Sequence, residues 1–423
     1  MNPRPGRRLL VLGSGERVFR EYALKTMSQN ARLTLISAST PTWELRYCTG
    51  WVHADLADAG SVRSAIRDIQ ADGLLTYDER YVEVAAQVAA ERGFPGPRPA
   101  AVRAVKDKAE LRARLERIAP VRFAVAHSVT EAYAALDLTG LPAVFKPRAL
   151  GGSAGVRLVT TPDEVPSAFA DATTARVGTT RSRYDGALIE EFVDGPEFSI
   201  DSVTAGGVTT PVLVAAKQTG LAPYFEETGH IVPEAPGSLP PAALDLVRLA
   251  HAAAGLDNVV SHAEVRVSRS GPRLIELNAR LGGDLIPYLG MLAGRIDMPA
   301  AAAQIALGLP PSIRSESPGA GAGASAAAAG DAAAAVRFVY PDQDLRFTAA
   351  VLRRSASEYP GLRLFTALAS EGQELRLPPR GYLSRLAAIV VSGGSREECV
   401  SRLDAVASDL DLSTSPLVLA PQR

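Results

Sequence analysis

The segment Pro142-Ala-Val-Phe-Lys-Pro-Arg-Ala-Leu-Gly-Gly-Ser-Ala-Gly-Val156 limits the fold more tightly than any other part of the chain. A short apolar run delivers Lys146 and then opens at once into a loop containing Gly151, Gly152, Ser153 and Gly155. Glycines let the backbone close over an anion and turn successive N–H groups toward it, while a lysine adds a compact point charge. A Walker A loop is excluded, because it sets its lysine after the glycines at the mouth of a helix. The segment reads as a strand that opens into a phosphate cradle; the alternative is a hairpin turn beside an unrelated lysine. Lysine usage favours the cradle. The 45 basic residues include only Lys25, Lys106, Lys108, Lys146 and Lys217 as lysines. In a chain that elsewhere uses arginine, a lysine that persists is one needed as a point charge.

The 423 residues are 47% apolar and 22% charged, enough to bury two or three cores. A net charge of -1 removes the basic surface that nucleic acid requires. Cys48 and Cys399 supply neither a disulfide framework nor a cysteine-rich metal site. Arg7 and Arg8 precede an apolar run that stops at Gly13, too short for a signal core or a membrane span, so a cytoplasmic protein is expected.

Residues 9–12, 33–36 and 74–76 read as strands and 81–90 as a helix, the alternation of a small parallel α/β unit. Gly13-Ser14-Gly15 follows the first strand, but Val18 replaces the third glycine of a dinucleotide fingerprint. The second strand also ends at Ser37-Ala38 without a ribose-binding acid. These glycines read as a tight turn beside a substrate cleft. Pro95, Pro97 and Pro99 mark the crossing to a charged helix over 107–117. Residues 314–335 are low-complexity Gly/Ala sequence and read as a linker. Beyond them a strand pattern restarts over 336–340. Ser395 to Glu398 forms a capping box before a helix with Val400, Leu403, Val406 and Leu410 on one face.

Two further segments carry chemistry. In Ala187 to Asp201, an apolar strand runs into a hinge at Glu190, Glu191, Phe192 and Val193, then a strand with Glu197, Ser199 and Asp201 on one face. Such a hinge offers backbone groups to an adenine edge, and Glu197 can accept from ribose hydroxyls; as structure alone it is a connector with solvated acids. His262 to Val267 and Leu274 to Asn278 form two strands joined by a short turn, which sets Glu264 nearly opposite Glu276 with Asn278 on the same face. Facing carboxylates repel unless a cation intervenes, and two carboxylates with an amide oxygen suit Mg²⁺ beside phosphates. His262 has no histidine or cysteine partner at zinc spacing.

In order and spacing these motifs, with Lys108 in Lys106-Asp-Lys-Ala-Glu-Leu-Arg112, resemble the ATP-grasp superfamily over roughly residues 105–310. The resemblance implies an α/β and α+β multidomain fold. Residues 1–104 would form a Rossmann-like pre-ATP-grasp domain, 105–313 the ATP-grasp domain, 314–335 the linker and 336–423 a small α+β lid domain. It also implies ATP and Mg²⁺ as cofactors. Lys108, Lys146, Gly151, Gly152 and Ser153 would bind phosphates, Glu190, Glu191, Phe192 and Val193 the adenine, Glu197 the ribose, and Glu264, Glu276 and Asn278 the metal.

The stretch from Lys217 to Pro233 resembles the loop of bacterial L-amino-acid ligases, in which a lysine approaches the terminal phosphate and a Glu-x-Gly-His segment, here Glu227 and His230, reaches the substrates. Arg280, in Asn278-Ala-Arg-Leu-Gly-Gly-Asp284, resembles the arginine that steadies the tetrahedral intermediate. His262 stands where D-alanine:D-alanine ligases carry an arginine, a departure that argues against that activity. His262, Gly282, Gly283 and Asp284 are substrate-side candidates, although an Asp after two glycines more often caps the following helix. The resemblance implies a carboxylate–amine ligase working through an acyl phosphate and joining small carboxylate and amine substrates, with no nucleic-acid or membrane partner and a homodimer allowed. Whether Glu227 or His230 takes the amine's proton is left open by the sequence. A biotin-carboxylase-like carboxylase and a non-catalytic nucleotide sensor are the alternatives.

Overall fold

The computed structural model describes residues 6–232, 239–294, 296–313 and 331–417. Arg8–Leu12 lies between Arg32–Ser37 and Gly73–Leu75 in a parallel sheet, with Cys48–His53 on the outer edge beyond Arg32–Ser37. Helices Arg17–Asn30 and Val82–Glu91 help cover it. Leu9, Leu10, Val11 and Leu12 are therefore all buried, as strands covered on both faces must be. The Cys48–His53 strand escapes sequence reading, because its alternation of half-buried and exposed residues contains no apolar run.

The glycine-rich loop hangs from a second, antiparallel sheet. Its order is Phe123–Ala126, Ala187–Glu191, Ala143–Pro147 and Arg157–Val159, and helices Val129–Thr139 and Val165–Thr174 pack on it. Lys146 sits near the end of Ala143–Pro147, and the loop returns through Arg157–Val159.

A sheet of eight strands forms the floor of the molecule. Its order is Gly271–Asn278, Val259–Ser268, Glu197–Ala205, Val208–Gly220, Glu226–Val232, Ala333–Val339, Ala387–Gly393 and Leu362–Ala367. The sheet continues across the low-complexity stretch, because Gly229 to Val232 pair with Ala334 to Arg337. Its C-terminal part therefore extends the central sheet through backbone hydrogen bonds. Three residues assigned to the linker, 333–335, already belong to a strand and are buried; alanine packs wherever a neighbouring layer leaves little room. The rest of the expected linker, apart from Asp331 and Ala332, lies outside the described residues.

The helix after the capping box spans Arg396–Ser408, with Ser395 accepting from the Glu398 amide. Leu410 is not on its face, because it opens the strand Leu410–Pro416 of a three-stranded sheet. Among the described residues no helix is long and apolar enough to cross a membrane.

Candidate active site

A cavity of about 260 Å³ lies between the glycine-loop sheet and the eight-stranded floor. That is just below the roughly 300–1,000 Å³ usual for small-molecule sites. Nearly every candidate from the sequence lines it: Lys108, Lys146, the loop Gly151 to Ser153, the hinge Glu190 to Val193, Glu197, Lys217, Glu227, Glu264, Glu276, Asn278 and Arg280. His262, Gly283 and Asp284 complete that set; His230 and Gly282 are not in the wall.

The roof is held by charge. Lys146 Nζ stands 2.6 Å from Glu190 Oε2, and Arg112 Nε donates to Glu190 Oε1 at 2.5 Å. Burial would raise the Glu190 carboxyl, but Arg112 and Lys146 hold it down to about 2. Its carboxylate is thus committed inside the protein and is not turned to an adenine. Glu191 likewise turns to Arg122, at 2.7 Å. The Phe192 amide donates to Pro142 O, and Val193 O accepts from Arg266 Nη1, so the Val193 N–H is the hinge donor without a partner among the described residues. Arg266 also packs over the rings of Phe192 and Phe225, which stack 6.2 Å apart, and makes a slot of aromatic and guanidinium faces beside the hinge. Arg266 was legible, since it continues the period-two face of His262 and Glu264.

At the glycine loop, Gly152 adopts φ +66°, and a Cβ there would lie 2.9 Å from Leu383 Cδ1. Glycine is needed for the conformation and for the close approach of a residue from the C-terminal part of the chain.

Across the cavity, Glu264 pairs directly with Glu276 in the register expected from the turn, and Asn278 pairs with His262. Lysines stand against these acids: Lys217 Nζ is 3.0 Å from Glu264, 2.8 Å from Glu197 and 3.1 Å from Glu227, and Lys108 Nζ is 3.3 Å from Glu276. Burial lowers the Lys217 ammonium, but its three carboxylates outweigh this and hold it well above the usual lysine range. The facing oxygen donors fit a hard divalent cation. Lys217 itself lies on the strand Val208–Gly220 opposite His230 on Glu226–Val232, so the supposed loop is a hairpin.

His262 donates through Nδ1 to Asp201 Oδ1 at 2.7 Å, with Nε2 3.6 Å from Glu264. Burial would lower it, yet Asp201 and Glu264 push it up to about 10, so it is a cation at neutral pH.

Asp284 corrects the expected cap. The helix that follows, Ile286–Leu292, has Leu285 at its N-cap and receives no side-chain cap bond. Asp284 and Leu285 both take left-handed backbone conformations, at φ +49° and +66°. They aim the Asp284 carboxylate at Arg385, which donates to both oxygens at 2.8 and 2.6 Å. Arg385 also donates to Tyr340 Oη and Glu227 O and lies 3.7 Å over the Phe338 ring. His230 is fully buried behind this wall, with Nε2 3.2 Å from Glu227 Oε2 and 3.7 Å from Asp284 Oδ2. Gly282 is spent on packing: its carbonyl accepts from Arg20, and a Cβ there would meet Asp201 Oδ2 at 2.9 Å.

Arg280 donates through Nε to Glu79 at 2.6 Å and through Nη1 to Leu281 O, leaving Nη2 without a partner among the described residues.

Residues 139–287 match the ATP-grasp domain family. Human carnosine synthase 1 is 27% identical over 339 residues, which cover 73% of this chain and 40% of that protein. The alanine–anticapsin ligase of Bacillus subtilis strain 168 is 25% identical over 256 residues, 54% of this chain and 52% of the ligase. This chain therefore spans about half or less of the length of these relatives. Among solved structures, the L-amino acid ligase from Bacillus licheniformis superposes with a TM-score of 0.78 at 20% identity, covering 96% of this chain and 98% of that one. It shares the fold.

Proposed function

We propose that this chain, which carries an ATP-grasp domain over residues 139–287, is an ATP-dependent carboxylate–amine ligase that forms a peptide or amide bond between small substrates, at least one an amino acid. The observation that carries the reading is the facing pair Glu264 and Glu276, with Lys217 and Lys108 against them, across one cavity from Lys146 and the glycine loop. Oxygen donors and lysines facing a glycine loop across one cavity suit phosphoryl transfer from a metal-bound nucleotide.

A carboxylate is a poor electrophile, so transfer of the ATP γ-phosphoryl group to it supplies a leaving group. Lys108, Lys146, Lys217 and the loop amides oppose charge on the transferring group. Glu264, Glu276 and Asn278 would hold Mg²⁺, which screens phosphate charge when bound. Lys217, turning from its three acids to the terminal phosphate, would leave Glu227 free at the cavity wall. Glu227 reaches the cavity and is backed by His230, which makes it the acceptor of the amine's proton. Amine attack then yields a tetrahedral intermediate that expels phosphate, and the Nη2 of Arg280, unpaired among the described residues, is suited to its oxyanion. The Val193 amide and the Arg266 slot would take the adenine, and Glu197 would take the ribose through Oε1 once Lys217 turns away, its Oε2 staying with Arg266 Nε at 2.8 Å.

The test is a pairwise amino-acid screen for ADP release, with mass spectrometry of the products. Amide-linked products accompanying ADP support the reading. ADP release that depends on bicarbonate and on no amine would replace it with a carboxylase.

A further inference from the structure

We propose that Glu79, in the N-terminal unit, is a positioning residue that holds the Arg280 guanidinium toward the cavity and away from Glu276. The inference rests on the role given to Arg280 above.

Glu79 stands just beyond the carboxyl end of Gly73–Leu75, the edge of a parallel sheet where ligand-side groups gather. It is not part of the cavity wall and meets the site through Arg280, which is. One of its oxygens takes Arg280 Nε at 2.6 Å and the other takes Lys106 Nζ at 2.5 Å, while Lys106 also donates to the Glu79 carbonyl. The acid is thereby fixed through its backbone as well as its side chain. Burial alone would raise the Glu79 carboxyl, but Lys106 and Arg280 bring it down to about 2, so it stays charged across the working range.

Arg280 has three carboxylates in reach of its field, Glu79 first, Glu276 second and Asp78 last. Glu276 is a metal-side acid. A guanidinium lying on it would compete with the cation and turn the free Nη2 from the place where an oxyanion develops. With Nε committed to Glu79 and Nη1 to Leu281 O, the planar fork has one orientation, and the remaining nitrogen is the one left for the cavity. Lys106 thus acquires a reason to persist as lysine: its single ammonium bridges the side chain and main chain of one residue.

The experiment measures ADP release at saturating ATP in an equimolar mixture of the twenty common amino acids, with MgATP binding followed by calorimetry. Glu79→Gln is expected to lower kcat about tenfold to a hundredfold, the scale of an ångström-sized misplacement, with KM for ATP within about twofold. Glu79→Asp, which keeps the charge but shortens the reach, should fall between; it carries the same comparison if the Gln variant does not fold. In an Arg280→Ala background Glu79→Gln should change kcat by less than about twofold, because nothing remains to position. Unchanged kcat in Glu79→Gln, or a loss that multiplies with that of Arg280→Ala, overturns the inference alone. Unchanged kcat in Arg280→Ala overturns both the inference and the role of Arg280 beneath it.

Discussion

Replacing Asp284 by Asn tests the link between the substrate end of the cavity and the C-terminal part of the chain. The amide keeps the size of the side chain and one accepting oxygen, but it removes the charge facing Arg385. Arg385 is 5% exposed and Asp284 19%, so the guanidinium would be left in a nearly dry site without its carboxylate. Breaking such a pair costs roughly 3–5 kcal/mol. The bonds Arg385 keeps to Tyr340 and Glu227 O put this case at the lower end, about 3 kcal/mol. A 423-residue chain unfolding as one unit has an unfolding entropy of about 0.9 kcal/mol/K, so Tm should fall by about 3 °C. The double variant Asp284→Asn with Arg385→Met removes the orphaned charge and should recover most of the loss. Differential scanning calorimetry of the parent, the single variant and the double variant measures this. An Asn variant within 1 °C of the parent, or a double variant no better than the single one, refutes a structural pair and returns Asp284 to substrate recognition.

Three more outcomes follow from the same geometry. Burial and Glu227 push the Glu226 carboxyl up to about 7 from 4.5, against Tyr340, the Leu383 amide and Arg385. Its stabilising contribution is complete below the unfolded value and is lost as pH rises to about 7, at most about 3 kcal/mol. Across that window the melting temperature of Glu226→Gln should gain on the parent's, and a constant gap contradicts the assignment. Gly152→Ala forces a left-handed alanine against Leu383, a strain of about 1–2 kcal/mol, and should raise KM for ATP several-fold, with partial rescue by Leu383→Ala; an unchanged KM means the loop does not close on nucleotide. Glu276→Ala should weaken MgATP binding in calorimetry at least as much as the ~10–100-fold that loss of an outer-shell partner costs, while metal-free ATP binding changes little. Equal losses with and without metal would remove Glu276 from the metal site.

What the sequence discloses here is local. Lys146 with its glycines and the Glu264/Glu276 hairpin need only a turn and a period of two, and the register of the second is observed as expected. Contacts made over long separations leave no such trace. Glu79 meets Arg280 across 201 residues, Arg385 meets Asp284 across 101, and Arg112 meets Glu190 across 78. No periodicity joins them, so Glu190 reads as an adenine contact when its charge is already spent. Asp284 misleads for another reason: capping statistics assume an extended residue before the helix, whereas Asp284 and Leu285 turn left-handed. Asp201 lay on a face the sequence did disclose, but its partner His262 becomes apparent only once those strands are seen to pair.

The central claim is that a substrate carboxylate becomes an acyl phosphate, and oxygen tracing tests it most directly. A carboxylate substrate labelled with ¹⁸O in both oxygens is turned over with ATP and an amine partner, and the phosphate is recovered for mass spectrometry. Transfer through an acyl phosphate places one labelled oxygen in inorganic phosphate for each amide formed, with ADP as the nucleotide product. Label found in AMP, or amide formed with unlabelled phosphate, contradicts the account.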